Sequence, residues 1–153
     1  MTKSVFVFDL DFTLWDAGGT WCDCTTPPYK NVNNHIVDYY GSEIHLYKDV
    51  RIILEQLKND NKIIAAASRT CAPEIARELL ERFNIRHFFD IEEIYPTSKT
   101  QHLSEILDQT QKTTDDLVFF DDEIRNIYDV GNMGIKSVHI QNGITMQHIK
   151  KYI

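Results

Sequence analysis

The chain begins with an apolar stretch, VFVFDLDFT (Val5–Thr13), from which its architecture can be worked out. The residues within Ser4–Leu10 are mostly β-branched or aromatic, which is typical of a short strand buried on both faces. Because Asp9 and Asp11 are two residues apart, a regular strand would point both carboxylates to the same side. The segment therefore predicts a buried strand that ends in a pair of acids.

Strand and helix patterns alternate along the rest of the chain. Further strands are predicted at Lys62–Ser68, Ile91–Tyr95, Leu117–Phe120 and Lys136–Ile140, and helices near 49–59, from 73, near 99–109, near 123–133 and from about 145. Asp49 and Ser98 are predicted to cap two of these helices, and Pro73 suits the first turn of another. The alternation predicts an α/β fold with a doubly wound parallel sheet, which is a Rossmann-like arrangement.

Residues 12–47 lack such periodicity. They contain glycine, proline and asparagine at close intervals, which favours turns over long elements. We expect loops with one or two hairpin strands here, forming a small flap over about residues 14–47. No repeat or linker divides the chain, so the sequence predicts a single domain over residues 1–153.

Composition and charge disfavour several classes of partner. The chain is 42% hydrophobic and 25% charged, its net charge is −7, and its lysines and arginines are scattered. A nucleic-acid partner is therefore not expected. No apolar run approaches the roughly 20 residues of a membrane span. The apolar stretch near the start of the sequence is too short for a signal peptide. We expect a cytoplasmic protein without a membrane partner, and the scattered charge favours a monomer.

The three cysteines, Cys22, Cys24 and Cys71, are too few and odd in number for a disulfide framework. Cys22 and Cys24 have no neighbouring CxxC or HxxxH pair of the kind that zinc sites use. We therefore expect reduced thiols with a structural role.

A second pair of acids follows the predicted strand that ends at Phe120, where Asp121 and Asp122 come next. The carboxyl ends of parallel strands meet at one edge of a sheet, and ligands bind there in such folds. Asp9 and Asp11 should therefore lie near the second pair, and the four charges would repel one another unless a cation compensates. Oxygen ligands without histidine or cysteine suit Mg²⁺.

A hydroxyl and an amine are predicted at the same edge. Ser68 ends a strand just before a helix, where free backbone N–H groups can bind an anion. Lys99 begins another helix and could neutralise the same anion. Mg²⁺, Ser68 and Lys99 around one point describe a phosphoryl site, in which positioning and charge neutralisation supply most of the catalysis.

Taken together, these segments resemble the motifs of the haloacid dehalogenase superfamily: FDLDFT (8–13), ASRT (67–70), Lys99 and FFDDE (119–123). The longer segments FDLDFTLW (8–15), AAASRT (65–70), EIYPTSK (93–99) and VFFDDEIRN (118–126) are similar to the magnesium-dependent phosphatases, a family of small acid phosphatases. The likeness covers nearly the whole chain.

The resemblance implies a role for each matching residue. Asp9 would be the nucleophile that forms an aspartyl-phosphate, and Asp11 would be the acid for the leaving group and then the base for water. Thr13 would support the turn. The residues implied to bind the substrate are Leu10, Trp21, Ser68, Arg69 and Lys99. The implied Mg²⁺ ligands are Asp9, the Asp11 backbone carbonyl and Asp122, with Asp121 nearby.

The connections between the motifs leave no room for a cap domain. We therefore expect an open site that accepts an exposed phosphoester, such as a sugar phosphate or a protein phosphotyrosine. After Trp15 the chain reads DAGGTWCD (16–23), which departs from the shorter and more apolar flap of the family. This departure leaves the choice of substrate open.

Other classes of protein share some of these features. A receiver-type signalling module has similar groups at its strand ends, but its acid pair usually follows the first strand and its phosphoacceptor the third. The segment Cys71–Arg77 matches the C-x5-R spacing of cysteine phosphatases, although Pro73 lacks an N–H and Glu74 would repel the anion. A long-lived phosphorylated form without turnover would favour the first alternative, and resistance to EDTA the second. A catalytically silent scaffold is disfavoured because no expected residue is missing.

Overall fold

The computed structural model describes residues 2–153, which contain nine strands and five α-helices. In chain order the strands are β1 (Val5–Phe8), β2 (Trp15–Asp16), β3 (Lys30–Val32), β4 (His35–Val37), β5 (Glu43–Leu46), β6 (Ile63–Ser68), β7 (Ile91–Ile94), β8 (Leu117–Asp121) and β9 (Lys136–His139). The helices are α1 (Val50–Asn59), α2 (Pro73–Arg82), α3 (Lys99–Thr110), α4 (Ile124–Gly131) and α5 (Met146–Ile149).

Five of the strands form one parallel sheet in the order β7-β6-β1-β8-β9. The apolar strand β1 is central: Phe8 pairs with Ala66 of β6 on one side and with Phe120 of β8 on the other. The chain extends the sheet from β1 to one edge and then crosses to the other side, which is the doubly wound arrangement. The predicted fold class is confirmed.

The two faces of the sheet bury alternate residues of β1 against different helices. Phe6 and Phe8 cluster with the apolar sides of α1 and α2, whereas Val5 and Val7 cluster with those of α3 and α4. All four side chains are fully buried. Because both faces fix the register of β1, the residues that follow Phe8 emerge at a defined place on the edge of the sheet.

Two of the predicted helix starts agree with the structure and one does not. Pro73 occupies the first turn of α2, and the Ser98 side chain caps α3 by accepting the Gln101 N–H. The predicted cap of α1 is wrong, because Asp49 has helical backbone angles and makes no cap hydrogen bond. Its carboxylate instead accepts the Met146 N–H at 3.0 Å and ties the start of α5 to the start of α1. Across residues 2–153, none of the helices has the length and apolar character needed to cross a membrane.

Residues 15–46 form a second, antiparallel sheet of four short strands in the order β2-β5-β4-β3, and we call this sheet and its loops the flap. The sequence predicts loops with one or two hairpin strands, and therefore underestimates the regular structure here. Each strand is only two to four residues long, which is too short for an alternating pattern to be recognised. Ile36 and Ile44 pair across the flap and are buried, so the flap packs on the core. Within residues 2–153, the connections after β1 and β6 contain no cap domain in addition to the flap.

Candidate active site

One cavity lies at the edge of the parallel sheet where the C-terminal ends of β1, β6 and β8 meet the first residue of α3. The topology brings these ends together, because β6 and β8 flank β1 and all three strands run in the same direction. The residues that line the cavity are Asp9, Asp11, Trp21, Asp23, Ser68, Arg69, Thr70, Lys99, Asp121, Asp122, Glu123, Arg125 and Asn126.

Asp9 follows β1 directly and is held at both carboxylate oxygens. Its backbone N–H donates to the Phe120 carbonyl at 3.0 Å, which continues the pairing of β1 with β8 by one residue. Its Oδ1 accepts from Lys99 Nζ at 2.8 Å, and its Oδ2 accepts from the Thr13 hydroxyl at 3.1 Å. Thr13 therefore orients the Asp9 carboxylate in addition to lying in the turn.

Lys99 supplies a positive charge within this cluster and is only 2% exposed. Its Nζ lies 2.8 Å from Asp9 Oδ1 and 2.9 Å from Asp121 Oδ2, and it also donates to the Ala67 carbonyl. Burial opposes the charge of Lys99, but the two carboxylates outweigh burial and raise the pKa of its amine. Lys99 is therefore charged at neutral pH.

The acids around Lys99 outnumber it. Asp9, Asp121 and Asp122 each place a carboxylate oxygen within 4.8 Å of the others. Burial, followed by the charge of Asp121, raises the pKa of Asp9 well above its usual value even though Lys99 opposes the shift. Burial likewise raises the pKa of Asp122 to about 6. A divalent cation would offset this repulsion, and a donor set made only of carboxylate oxygens fits Mg²⁺.

The two acids at the end of β8 differ in how free their carboxylates are. Asp121 is fully buried; its Oδ1 accepts the Glu123 N–H at 2.8 Å, and its Oδ2 accepts from Asn126 at 3.1 Å as well as from the lysine. Asp122 is less buried, and its backbone carbonyl is held by His139 Nε2 at 2.8 Å. This difference favours the predicted choice of Asp122 as the metal ligand, with Asp121 nearby.

Asp11 is held by the flap rather than by Lys99. The Trp15 indole Nε1 and the Cys22 backbone N–H both donate to Asp11 Oδ1, each at 2.8 Å. The chain turns sharply after Asp11, and Phe12 has a left-handed φ of +64°, which is uncommon for a bulky residue. Burial raises the pKa of Asp11 to about 6, against the hydrogen bond from Trp15, which lowers it.

The structure brings four of the five residues implied to bind the substrate to the cavity. Ser68 is almost fully buried at the end of β6, next to the cluster of acids, and its Oγ accepts the Thr70 N–H at 3.3 Å. Arg69 donates to Asn126 Oδ1 at 3.3 Å. Trp21 extends from the flap and is 54% exposed. The fourth residue is Lys99, whose contacts are described above.

The fifth residue, Leu10, does not line the cavity. It is fully buried and belongs to the apolar cluster that contains α1 and α2. Because side chains alternate in an extended segment, Leu10 points into the core while Asp9 and Asp11 face the cavity. The structure leaves only the backbone of Leu10 for a contact with substrate.

Several cavity residues are not predicted by sequence reasoning. Asn126 is 3% exposed and joins Arg69 to Asp121 through its amide. Glu123 and Arg125 line the cavity beside it from the start of α4, and Asp23 lines it from the flap. The sequence does contain a signal for the residues on α4, because this helix begins two residues after the second acid pair.

The cysteines have different surroundings. All three are free; Cys22 is buried, whereas Cys24 and Cys71 are exposed. Cys71 does not line the cavity, and α2 begins two residues later at Pro73. The segment with C-x5-R spacing is therefore the start of a helix outside the cluster of acids.

Comparisons with known proteins agree with this geometry. A family model described as Acid Phosphatase matches residues 1–153. Magnesium-dependent phosphatase 1 of Homo sapiens is 39% identical over 147 residues, which cover 95% of this chain and 82% of that protein. A HAD-like hydrolase superfamily protein of Schizosaccharomyces pombe is 38% identical over 133 residues, which cover 78% of this chain and 76% of that protein. A crystal structure from Clostridium difficile superposes with a TM-score of 0.74 at 18% identity and covers 99% of this chain and 91% of that chain.

The parallel sheet, the acids that follow β1 and β8, and the lysine at the start of α3 define a protein of the haloacid dehalogenase class. The match to the family model along the full length goes further. The chain belongs to the acid phosphatase family.

Proposed function

We propose that this protein is a magnesium-dependent phosphatase that hydrolyses phosphomonoesters through an aspartyl-phosphate on Asp9. The observation that carries the proposal is the position of the Asp9 carboxylate, which Lys99 and Thr13 hold in a cavity beside two further acids and Ser68. Membership of the acid phosphatase family and the name of the human relative support the class of reaction and the metal.

The residues at the sheet edge fit Mg²⁺. The carboxylates of Asp9 and Asp122 would hold the ion together with the Asp11 backbone carbonyl, and Asp121 lies within reach of the same point. When bound, the ion masks the negative charges of the nucleophile and of the substrate phosphate, which otherwise repel each other.

The first half-reaction transfers the phosphoryl group to the protein. A carboxylate oxygen of Asp9 attacks phosphorus, a new O–P bond forms, and the bond from phosphorus to the ester oxygen breaks. Asp11 donates its proton to that oxygen, so the leaving group departs as a neutral alcohol. A pKa of about 6 suits Asp11 for this role, because part of the population carries the proton near neutral pH.

The second half-reaction releases phosphate. Asp11, now ionised, takes a proton from a water molecule, and the oxygen of that water attacks phosphorus. The bond between phosphorus and Asp9 breaks, which restores the free carboxylate. Both steps use the same two side chains, so the cycle returns each group to its starting protonation state.

The remaining cavity residues bind the ester. Ser68 and Lys99 would contact the transferring phosphoryl group, while Arg69 and Trp21 would meet the leaving group at the mouth of the cavity. The absence of a cap domain within residues 2–153 leaves this mouth accessible. We propose that the substrate is a phosphorylated small molecule such as a sugar phosphate, or a protein phosphotyrosine, and that the protein acts as a cytoplasmic monomer.

A panel of phosphoesters tests this function. Nitrophenyl phosphate, sugar phosphates and a phosphotyrosine peptide are each incubated with the protein in Mg²⁺ and in EDTA. We expect turnover in Mg²⁺ and none in EDTA. Turnover that persists in EDTA contradicts the proposal, and stoichiometric phosphorylation without turnover favours a receiver-type module instead.

A further inference from the structure

We propose that Trp15 is a positioning residue that determines which oxygen of Asp11 delivers the proton to the leaving group. This role rests on the proposed function, in which Asp11 is the acid. Trp15 is fully buried and does not line the cavity, so it has no contact with substrate. Its effect on the reaction must therefore pass through Asp11, which its indole contacts directly.

Two N–H donors fall on one oxygen of the Asp11 carboxyl. The indole Nε1–H of Trp15 and the backbone N–H of Cys22 each donate to Oδ1 at 2.8 Å. An oxygen that accepts two N–H groups cannot also carry a proton without turning an O–H toward a donor. These two contacts favour a proton on Oδ2, the oxygen that neither N–H group contacts.

Three contacts hold the indole in place. Trp15 pairs with Leu46 of β5, and its carbonyl accepts the Phe12 N–H at 2.7 Å. Its ring stacks on Phe83 with a distance of 6.0 Å between the ring centroids. Because the indole is anchored to the flap and to the residue that follows α2, it cannot follow the carboxyl if the carboxyl rotates.

Loss of the indole N–H should damage only those reactions that need the proton. With one N–H donor left at Oδ1, the Asp11 carboxyl can rotate, or carry its proton on Oδ1, where the leaving oxygen does not receive it. An alkoxide leaving group needs that proton, whereas a nitrophenolate departs without it. The ratio of the two effects therefore separates positioning of the acid from a general loss of structure.

The test compares kcat/KM of the Trp15→Phe variant for a sugar phosphate and for nitrophenyl phosphate, since kcat/KM reports the step in which the leaving group departs. We expect a loss of about 10- to 100-fold on the sugar phosphate and less than about 3-fold on nitrophenyl phosphate. The comparison variant is Phe83→Leu, which loosens the stack but keeps the indole N–H, and its loss should be less selective for the sugar phosphate than that of Trp15→Phe. Equal losses on the two esters for Trp15→Phe, or a more selective loss for Phe83→Leu than for Trp15→Phe, overturn the proposal.

Two further measurements complete the test. In the Asp11→Asn background, Trp15→Phe should cause no additional selective loss, because the acid is already gone. If Trp15→Phe does not fold, benzothienylalanine is placed at position 15 of the Trp21→Phe variant, in which Trp15 is the one remaining tryptophan. Benzothienylalanine keeps the shape of the indole without its N–H. This protein is compared with Trp21→Phe itself. If the ratio of kcat/KM for the sugar phosphate to kcat/KM for nitrophenyl phosphate is the same in these two proteins, the proposed role of Trp15 is overturned. If the unaltered protein hydrolyses neither ester, the proposed function itself is refuted.

Discussion

The two carboxylates of the first motif are two residues apart in the chain but belong to different regions of the molecule. Asp9 belongs to the parallel sheet, where a buried lysine and a threonine hydroxyl hold its two oxygens. Asp11 is bound by the flap, where the neutral N–H groups of Trp15 and Cys22 both donate to one of its oxygens.

This difference shows how one type of side chain acquires two kinds of chemistry. The sheet surrounds Asp9 with charges, so its ionisation depends on Lys99 and on the cation that the neighbouring acids attract. The flap surrounds Asp11 with neutral donors and apolar surface, and burial leaves its pKa at about 6. A nucleophile must be ionised and an acid must hold a proton. Burial favours the protonated state of Asp11, whereas Asp9, whose pKa is raised by burial and by Asp121, needs Lys99 and the bound cation to be ionised.

The largest expected effect comes from removing the nucleophile on the sheet side. Asp9→Asn should abolish turnover, because the neutral amide cannot form the covalent intermediate. We expect a loss of at least about 10³-fold in kcat, or about 4 kcal/mol of barrier, with a circular dichroism spectrum like that of the unaltered protein. A variant that keeps a tenth of the original rate would show that Asp9 is not the nucleophile.

The next largest effect is expected from removing the buried, positively charged amine of Lys99. Lys99→Met leaves Asp9 and Asp121 without their shared partner, and removing one member of a buried ion cluster typically costs about 3–5 kcal/mol. Urea unfolding measures this cost directly. The control is Lys58→Met, because Lys58 pairs with Asp90 at 2.8 Å on the surface, where such pairs contribute less than about 1 kcal/mol. Equal losses in the two variants would mean that the cluster does not depend on Lys99.

Variants of the two acids at the end of β8 should have smaller effects, but they test directly which acid binds the metal. Asp122→Ala should weaken Mg²⁺ binding, and raising the Mg²⁺ concentration should restore part of the rate. Asp121→Ala should mainly lower stability, because Asp121 is fully buried and bonded to Lys99 and Asn126. Isothermal titration with Mg²⁺ separates the two outcomes. A metal defect in Asp121→Ala alone would reverse the assignment.

The two limbs of the pH dependence of kcat/KM should arise from different regions, the alkaline limb from Asp11 and the acid limb from Asp122. Asp11 must be protonated to act as the acid, so the rate should fall by up to about tenfold per pH unit as pH rises above about 6. Asp122 must be ionised to bind the metal, and its pKa is also about 6, so the rate should fall on the acid side as well. Higher Mg²⁺ should extend the acid limb to lower pH and leave the alkaline limb in place. Movement of both limbs together would contradict this division.

The sheet side of the comparison can be predicted from the sequence, and the flap side largely cannot. The buried strand at Val5–Phe8, the helix that begins at Lys99 and the acid pair that follows Phe120 all depend on short local patterns. Parallel topology then brings these segments to one edge without further information. Local patterns therefore specify the charged part of the site.

The donors to Asp11 depend on contacts that no local pattern reveals. Trp15 is fixed by its pairing with Leu46 and by its stack on Phe83, both far away in the chain. The Cys22 donor is a backbone N–H, which has no signature in the sequence at all. The limited role of Leu10 has a different cause, because side chains alternate in its extended segment and Leu10 therefore points into the apolar cluster.

The covalent intermediate on the sheet side can be observed directly. The Asp11→Asn variant is mixed with nitrophenyl phosphate and Mg²⁺, quenched in acid, and examined by mass spectrometry before and after borohydride reduction. Nitrophenolate departs without a proton, but the variant lacks the base for water, so the phosphorylated protein should accumulate. We predict one phosphoryl group per chain, and reduction should convert Asp9, and no other residue, to homoserine. A protein that turns over without any phosphorylated species, or that is labelled on another residue, would contradict the assignment of Asp9 as nucleophile and Asp11 as acid and base.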